Sequence, residues 1–136
     1  MSNVEQTLSI IKPDAVDRNL DNEIKEMFKS KGFKIVKEKK IQIEKSEAEK
    51  FYKVHETKPF YNDLCAYLSS GPIVVMILEK ENAVIENRDL MGATNPKDAD
   101  EGTIRKRYGI SIDKNSVHGS DSLENAKIEI NFFFKD

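Results

Sequence analysis

Near the C-terminal end the chain reads Asn115-Ser116-Val117-His118-Gly119-Ser120-Asp121-Ser122, with an imidazole among small residues. Gly119 carries no Cβ, so backbone there can approach a bound group closely. Asp121 and Glu124 stand at capping-box spacing, which predicts a helix start beside the histidine. The positive end of a helix next to an imidazole suits a negatively charged ligand. The same residues also suit an ordinary loop histidine beside a structural cap, and the octapeptide alone leaves both readings open. Other residues could complete an anion site: Lys12 after a short apolar run, Arg88 on a helical stretch, Thr94 in a loop and Arg105 near a helix start. An arginine fork can engage phosphate oxygens in pairs, whereas lysine acts as a compact point charge. Each of these alone reads first as a solvated surface group or a member of a weak ion pair. Phe60, after Pro59, could stack on a base through its π-face or serve as a hinge aromatic. Tyr52 and His55 are three apart and would share one helix face.

Bulk properties restrict where such chemistry can sit. With 136 residues the chain is long enough for one domain, 1–136, that buries about two-thirds of its unfolded surface. The 22 basic and 24 acidic residues give a net charge of −2, so no global field recruits nucleic acid and an anion site must be a local cluster. The single Cys65 excludes an internal disulfide framework and reads as a small buried hydrophobe in a reducing compartment. The longest apolar run, Ile73 to Leu78, is too short to span a bilayer, and the polar N-terminus leaves no room for a signal peptide. These features predict a cytoplasmic location. No G-x-x-x-x-G-K-[ST] or G-x-G-x-x-G loop occurs. If nucleotide phosphates are handled, side chains and a metal must do what loop amides do elsewhere.

The elements that must position these residues follow from periodicity. Thr7 to Ile11 predicts a strand stopped by Pro13, which suits a first helical turn. Residues 22–31 predict a helix with Ile24, Met27 and Phe28 on one face and Gly32 as its stop. Phe33, Ile35, Ile41 and Ile43, interleaved with lysines, predict a long strand with a wet face. A Ser46-x-x-Glu49 capping box predicts a helix carrying Phe51, Tyr52 and His55, and residues 61–69 a second. Residues 73–78, apolar on both faces, predict a central strand. Residues 82–91 predict a helix ended by Gly92, 93–102 a loop, and 103–108 one or two helical turns. A last helix from Ser122 carries Leu123, Ala126 and Ile130; Phe132-Phe133-Phe134 ends it or forms a final strand. This order predicts an α+β sandwich, with helices on one face of a small sheet.

Six blocks in register carry a resemblance across residues 5–134: Ile11-Lys12-Pro13-Asp14-Ala15-Val16, Pro59-Phe60, Ser70-Gly71-Pro72, Met91-Gly92-Ala93-Thr94-Asn95-Pro96, Gly102-Thr103-Ile104-Arg105, and Asn115-x-x-His118-Gly119-Ser120-Asp121-Ser122. Together they resemble the nucleoside diphosphate kinase family, and most closely its compact bacterial members. The resemblance implies a ferredoxin-like fold, a four-stranded antiparallel sheet covered by helices. It implies ping-pong transfer of the γ-phosphate of a nucleoside triphosphate, mainly ATP, to a nucleoside diphosphate through a phosphohistidine at His118.

Carried over position by position, the resemblance makes Glu129 the carboxylate that orients His118 and Ser120 the hydroxyl that assists. Lys12, Tyr52, Arg88, Thr94, Arg105 and Asn115 surround the phosphates and sugar, with Lys12 and Asn115 also meeting the ribose hydroxyls and Tyr52 near the transferring phosphoryl. Phe60 stacks on the base, with Leu64 and Ile112 as apolar neighbours. Mg²⁺ rides on the nucleotide phosphates, with Asp121 reaching it through water at most. The family also implies a homo-oligomer, a tetramer or hexamer built from dimers. No membrane partner is expected, and no nucleic acid. A non-catalytic nucleotide-binding regulatory or scaffold module of the same fold is the alternative.

Overall fold

The computed structural model describes residues 4–111 and 114–134, apart from the side chain of Val54. Four strands form one antiparallel sheet in the order β2-β3-β1-β4. They are β1 (Val4–Ile11), β2 (Lys34–Ile41), β3 (Ile73–Glu81) and β4 (Val117–Gly119). Both inner strands are buried on the two faces from Thr7 to Ile11 and from Ile73 to Leu78, and for β3 its continuous apolar run predicts this. The outer strand β2 is exposed along most of its length, and the pairing register slips between Ile35 and Lys37. Its lysines are the wet face expected from the sequence.

Helices are α1 (Pro13–Asp17), α2 (Asp21–Ser30), α3 (Lys45–Phe51), α4 (Tyr61–Leu68), α5 (Ala83–Met91), α6 (Ile104–Tyr108) and α7 (Leu123–Phe133), with 3₁₀ turns at Lys53–His55 and Pro96–Asp98. They cover both faces of the sheet, which corrects the expectation of helices on one face alone. The reason lies in β1 and β3, which are buried on both faces and so need a cover on each. On one face Ile11, Val74, Met76, Leu78 and Val117 pack against α1, α2, α5 and α6 through Val16, Phe28, Leu90 and Ile104. On the other, Leu8, Ile10, Ile73 and Val75 meet Ala48 of α3, Cys65 and Leu68 of α4, and Phe133 of α7. Each of the large apolar side chains buried here contributes about 1.5–3 kcal/mol relative to exposure. This antiparallel order with helices is the ferredoxin-like α+β fold.

Local signals fix the element ends. Pro13 opens α1, where its missing N–H costs nothing. The capping box of α3 is Glu44 with Glu47, not Ser46 with Glu49; Glu44 N donates to Glu47 Oε1 at 3.2 Å. The helix therefore starts two residues sooner and ends at Phe51, so His55 lies in the following 3₁₀ turn. Gly92, at φ +85°, stops α5, and a Cβ there would sit 2.6 Å from Thr103 Oγ1. The aromatic tail resolves as helix, since α7 runs through Phe133.

Candidate active site around His118

His118 sits in β4, paired with Ile10 of β1, rather than in the small-residue turn that its neighbours predict. Strand alternation then assigns its surroundings. Val117 joins the core on the α5 side, while His118 shares a face with Leu8 and Ile10. On that face the Phe51 ring stands edge-on at 5.3 Å and the Tyr52 ring at 6.3 Å. Gly119 serves a different approach from the one expected. A Cβ on it would fall 2.3 Å from Asn87 Nδ2 and 2.8 Å from Met91 Cε, so glycine here lets α5 lie against the strand.

Glu129, on α7, reaches back over the same face. Its Oε1 lies 3.0 Å from His118 Nε2 and accepts a hydrogen bond from Ser120 Oγ at 2.8 Å. Ser120 is itself fixed, because Leu8 N donates to its Oγ at 3.3 Å and its own N donates to Leu8 O at 3.2 Å. With Nε2 engaged by the carboxylate, Nδ1 is the ring nitrogen left for other chemistry. Only the fold makes this pair visible, since α7 must dock on β1 to bring Glu129 over the strand.

Asp121 is not the helix cap. Ser122 Oγ accepts from Asn125 N at 3.0 Å, while Asp121 Oδ1 accepts from the Asn125 amide at 2.6 Å and its carbonyl from Arg88 Nη1 at 3.4 Å. The cap has moved one residue because Ser122, with extended φ and ψ, is the residue that turns into α7.

A second group lies along the strand ends. Lys12 is 5% exposed, and its Nζ donates to Asn115 Oδ1 at 3.0 Å. Asn115 in turn donates from Nδ2 to Thr94 O at 3.3 Å, so the contribution of Thr94 to this group is a backbone carbonyl. Arg105, on α6, is buried and donates to Gly92 O at 3.1 Å and to Val117 O at 2.8 Å. Burial, aided by the charge of Arg88, holds the Arg105 guanidinium down at about 10, against the weaker upward pull of Tyr52. Two cations that disfavour each other in a partly dry place are a locus where an anion gains. The Tyr52 hydroxyl is buried and, like Arg105 Nε, has no hydrogen-bond partner among the described residues. Burial first, then the charge of Glu129, pushes its phenol well above the ordinary range, so it stays protonated.

Phe60 stands at the outer end, 45% exposed, with its ring 5.9 Å from that of His55, which is 6.3 Å from Tyr52. Leu64 follows one helical turn after Phe60 but packs toward the α3–α4 core. Ile112 lies outside the described residues. The structure thus gathers His118, Glu129, Ser120 and Tyr52 in one group and Lys12, Asn115 and Thr94 in another. Arg105 lies beside both through Val117 and Gly92, and Arg88 meets Asp121. Phe51 was the neighbour that residue types did not single out; its only signal was adjacency to Tyr52 at the end of an amphipathic helix. Among the described residues no three His, Cys, Asp or Glu side chains are gathered to hold a metal, and no helix is long and apolar enough to cross a membrane.

Comparison with known proteins places the chain in a family. The model of the family described as nucleoside diphosphate kinase matches residues 5–136. The nucleoside diphosphate kinase of Campylobacter jejuni is 60% identical over 132 residues, covering 97% of this chain and 96% of its own length. That of Wolinella succinogenes is 59% identical over 131 residues and 96% of each chain. Among solved structures, the Aquifex aeolicus nucleoside diphosphate kinase superposes with a TM-score of 0.95 at 38% identity, over 97% of this chain and 96% of that one. The apo enzyme of Encephalitozoon cuniculi gives 0.93 at 37% identity, over 97% and 90%. The chain belongs to the nucleoside diphosphate kinase family.

Proposed function

We propose that this nucleoside diphosphate kinase works by a ping-pong cycle in which His118 Nδ1 takes the γ-phosphoryl of a nucleoside triphosphate, mainly ATP, and returns it to a nucleoside diphosphate. The observation that carries this reading is the 3.0 Å contact between Glu129 Oε1 and His118 Nε2. A carboxylate on Nε2 keeps the proton there, leaves the Nδ1 lone pair free to attack, and stabilises the positive charge that grows on the ring as the N–P bond forms. The bond from phosphorus to the bridging oxygen breaks, and the diphosphate leaves with that oxygen. The second half-reaction is the reverse with a different diphosphate. Ser120 assists by holding the carboxylate in place. Phosphoryl transfer is mostly positioning and charge stabilisation, which suits Arg88, Arg105 and Lys12 as cationic contacts and the Tyr52 hydroxyl as a neutral donor.

Phe60 offers a base a stacking face without base-edge hydrogen bonds, so acceptance of different nucleotides follows. Leu64 and Ile112 are its apolar neighbours in this reading, and Asn115 with Lys12 meets the ribose. Kinases of this family generally use a divalent metal. Here Mg²⁺ would arrive on the nucleotide phosphates, and the exposed Asp121 carboxylate is the group of this chain that would approach it through water. The reading takes residues 1–136 as one catalytic domain in a cytoplasmic homo-oligomer, a tetramer or hexamer built from dimers, whose size sedimentation would measure. No observation favours the non-catalytic alternative.

Incubation with γ-labelled ATP and Mg²⁺ tests the central step. A phosphoprotein stable to base and labile to acid is expected, with no label on His118→Ala. An unlabelled wild type, or equal label and turnover in the variant, would sink the reading.

A further inference from the structure

Two residues before His118 the backbone is strained. Ser116 has a φ of +75°, and Val117 N donates to Asn115 O at 2.9 Å, which closes a three-residue turn. Such γ-turns with positive φ are rare, and outside glycine the conformation persists only where its surroundings enforce it. The surroundings here are specific. Ser116 is fully buried, and its Oγ donates to Asp14 Oδ2 at 3.0 Å. Arg18 Nη2 donates to the same carboxylate oxygen at 3.2 Å and approaches Ser116 Oγ at 3.4 Å. Tyr67 Oη donates to Asp14 Oδ1, while Asp14 N donates to Tyr67 Oη at 2.8 Å. Burial and the bond to Asp14 raise the Tyr67 phenol, which keeps it a donor. Arg18 completes the clamp by donating from Nε to Asp14 O at 2.9 Å and from Nη2 to Tyr108 O at 2.6 Å.

Asp14 of α1 and Arg18 therefore hold one serine hydroxyl, and Tyr67 of α4 and the carbonyl of Tyr108 at the end of α6 fix those two in turn. On its other side Ser116 faces the nucleotide group. Its carbonyl accepts from Lys12 N at 2.8 Å, and the preceding Asn115 takes the Lys12 ammonium at 3.0 Å. We infer that Asp14, Arg18 and Tyr67 are positioning residues for the nucleotide site: acting through Ser116, they hold the strained turn that sets Asn115 against Lys12. The inference rests on Lys12 and Asn115 being nucleotide contacts. It does not involve the chemistry at His118, which is held separately by its pairing with Ile10 and by Glu129.

The test is ADP affinity of the full chain by calorimetry for Ser116→Ala, Asp14→Asn and the double variant, each with its melting temperature. Each single change is expected to weaken ADP binding about fivefold, and the double variant no further, because both act through one hydroxyl. An unchanged ADP affinity in folded Ser116→Ala overturns the inference, as does a double variant that loses about 25-fold, the product of independent effects. A clamp that served only the fold would lower the melting temperature and leave affinity alone. If Asp14→Asn does not fold, Arg18→Ala takes its place in the cycle with the same expected outcomes. A wild type that binds ADP yet takes no label at His118 would sink the phosphohistidine reading and leave this one standing.

Discussion

Glu129 accepts two hydrogen bonds on one oxygen, from Ser120 at 2.8 Å and at the His118 Nε2 contact of 3.0 Å. A glutamine in its place keeps the shape and an oxygen that can take both bonds, but not the charge. If the carboxylate works by stabilising the ring as it becomes cationic, Glu129→Gln loses transition-state stabilisation while the fold stays intact. We expect phosphorylation of His118 to slow about 10–100-fold, a loss of roughly 1.4–2.7 kcal/mol, with an unchanged melting temperature. Ser120→Ala should cost less, because the hydroxyl contributes a neutral hydrogen bond to the carboxylate. Single-turnover labelling measures both, and a Glu129→Gln rate within about twofold of wild type would show that the charge does no catalytic work. The identity of these residues was legible in the sequence only through the company of six motif blocks. His118 by itself read first as a loop histidine, because nothing local reveals that Glu129, eleven positions away on another element, folds back to within hydrogen-bond reach.

At the level of elements, β4 and α5 meet at a point set by a missing side chain. The Cβ that alanine would add at Gly119 falls on Asn87 Nδ2 at 2.3 Å and near Met91 at 2.8 and 3.0 Å. Methionine can yield, but Asn87 is fully buried. The buried Asn87 side chain must therefore be displaced, and a displacement passed on to α5 also shifts Arg88, which that helix carries. We expect Gly119→Ala to cost about 1–3 kcal/mol, read as a melting temperature lower by about 3–10 °C. Both amide atoms of Asn87 lack partners among the described residues, so Asn87→Ala should restore much of the loss by making room. A Gly119→Ala protein that melts with wild type would show that α5 shifts freely. This is also where sequence reading stopped short. The strand at 73–78 and the helices around Ile24 and Leu90 followed from periodicity, whereas β4 did not: three residues are too few to show a period. The two capping assignments slipped by one or two residues because Ser, Asp and Glu were available at adjacent positions, and only the backbone decides which one turns.

For the whole molecule, burying two apolar faces of one sheet also buries phenols, and that couples stability to alkaline pH. All four tyrosines, Tyr52, Tyr61, Tyr67 and Tyr108, have their phenols raised above the ordinary value, with burial the largest cause in each. A group whose folded pKa exceeds its unfolded one binds protons more tightly in the fold. Its contribution is complete below the unfolded value of about 10 and is lost as pH climbs from there toward the folded value. Arg105 acts in the opposite sense. Burial and the charge of Arg88 lower its guanidinium, so its contribution moves in favour of the fold as pH rises. Tyr52 and Tyr67, whose phenols are raised furthest, dominate the alkaline limb. The melting temperature should therefore fall above about pH 10, with the phenolates of Tyr52 and Tyr67 forming together with unfolding rather than ahead of it. Tyr67→Phe tests the cause: it should start less stable, having lost the bond to Asp14, and then decline less steeply. A slope unchanged in Tyr67→Phe would remove the tyrosines as the cause.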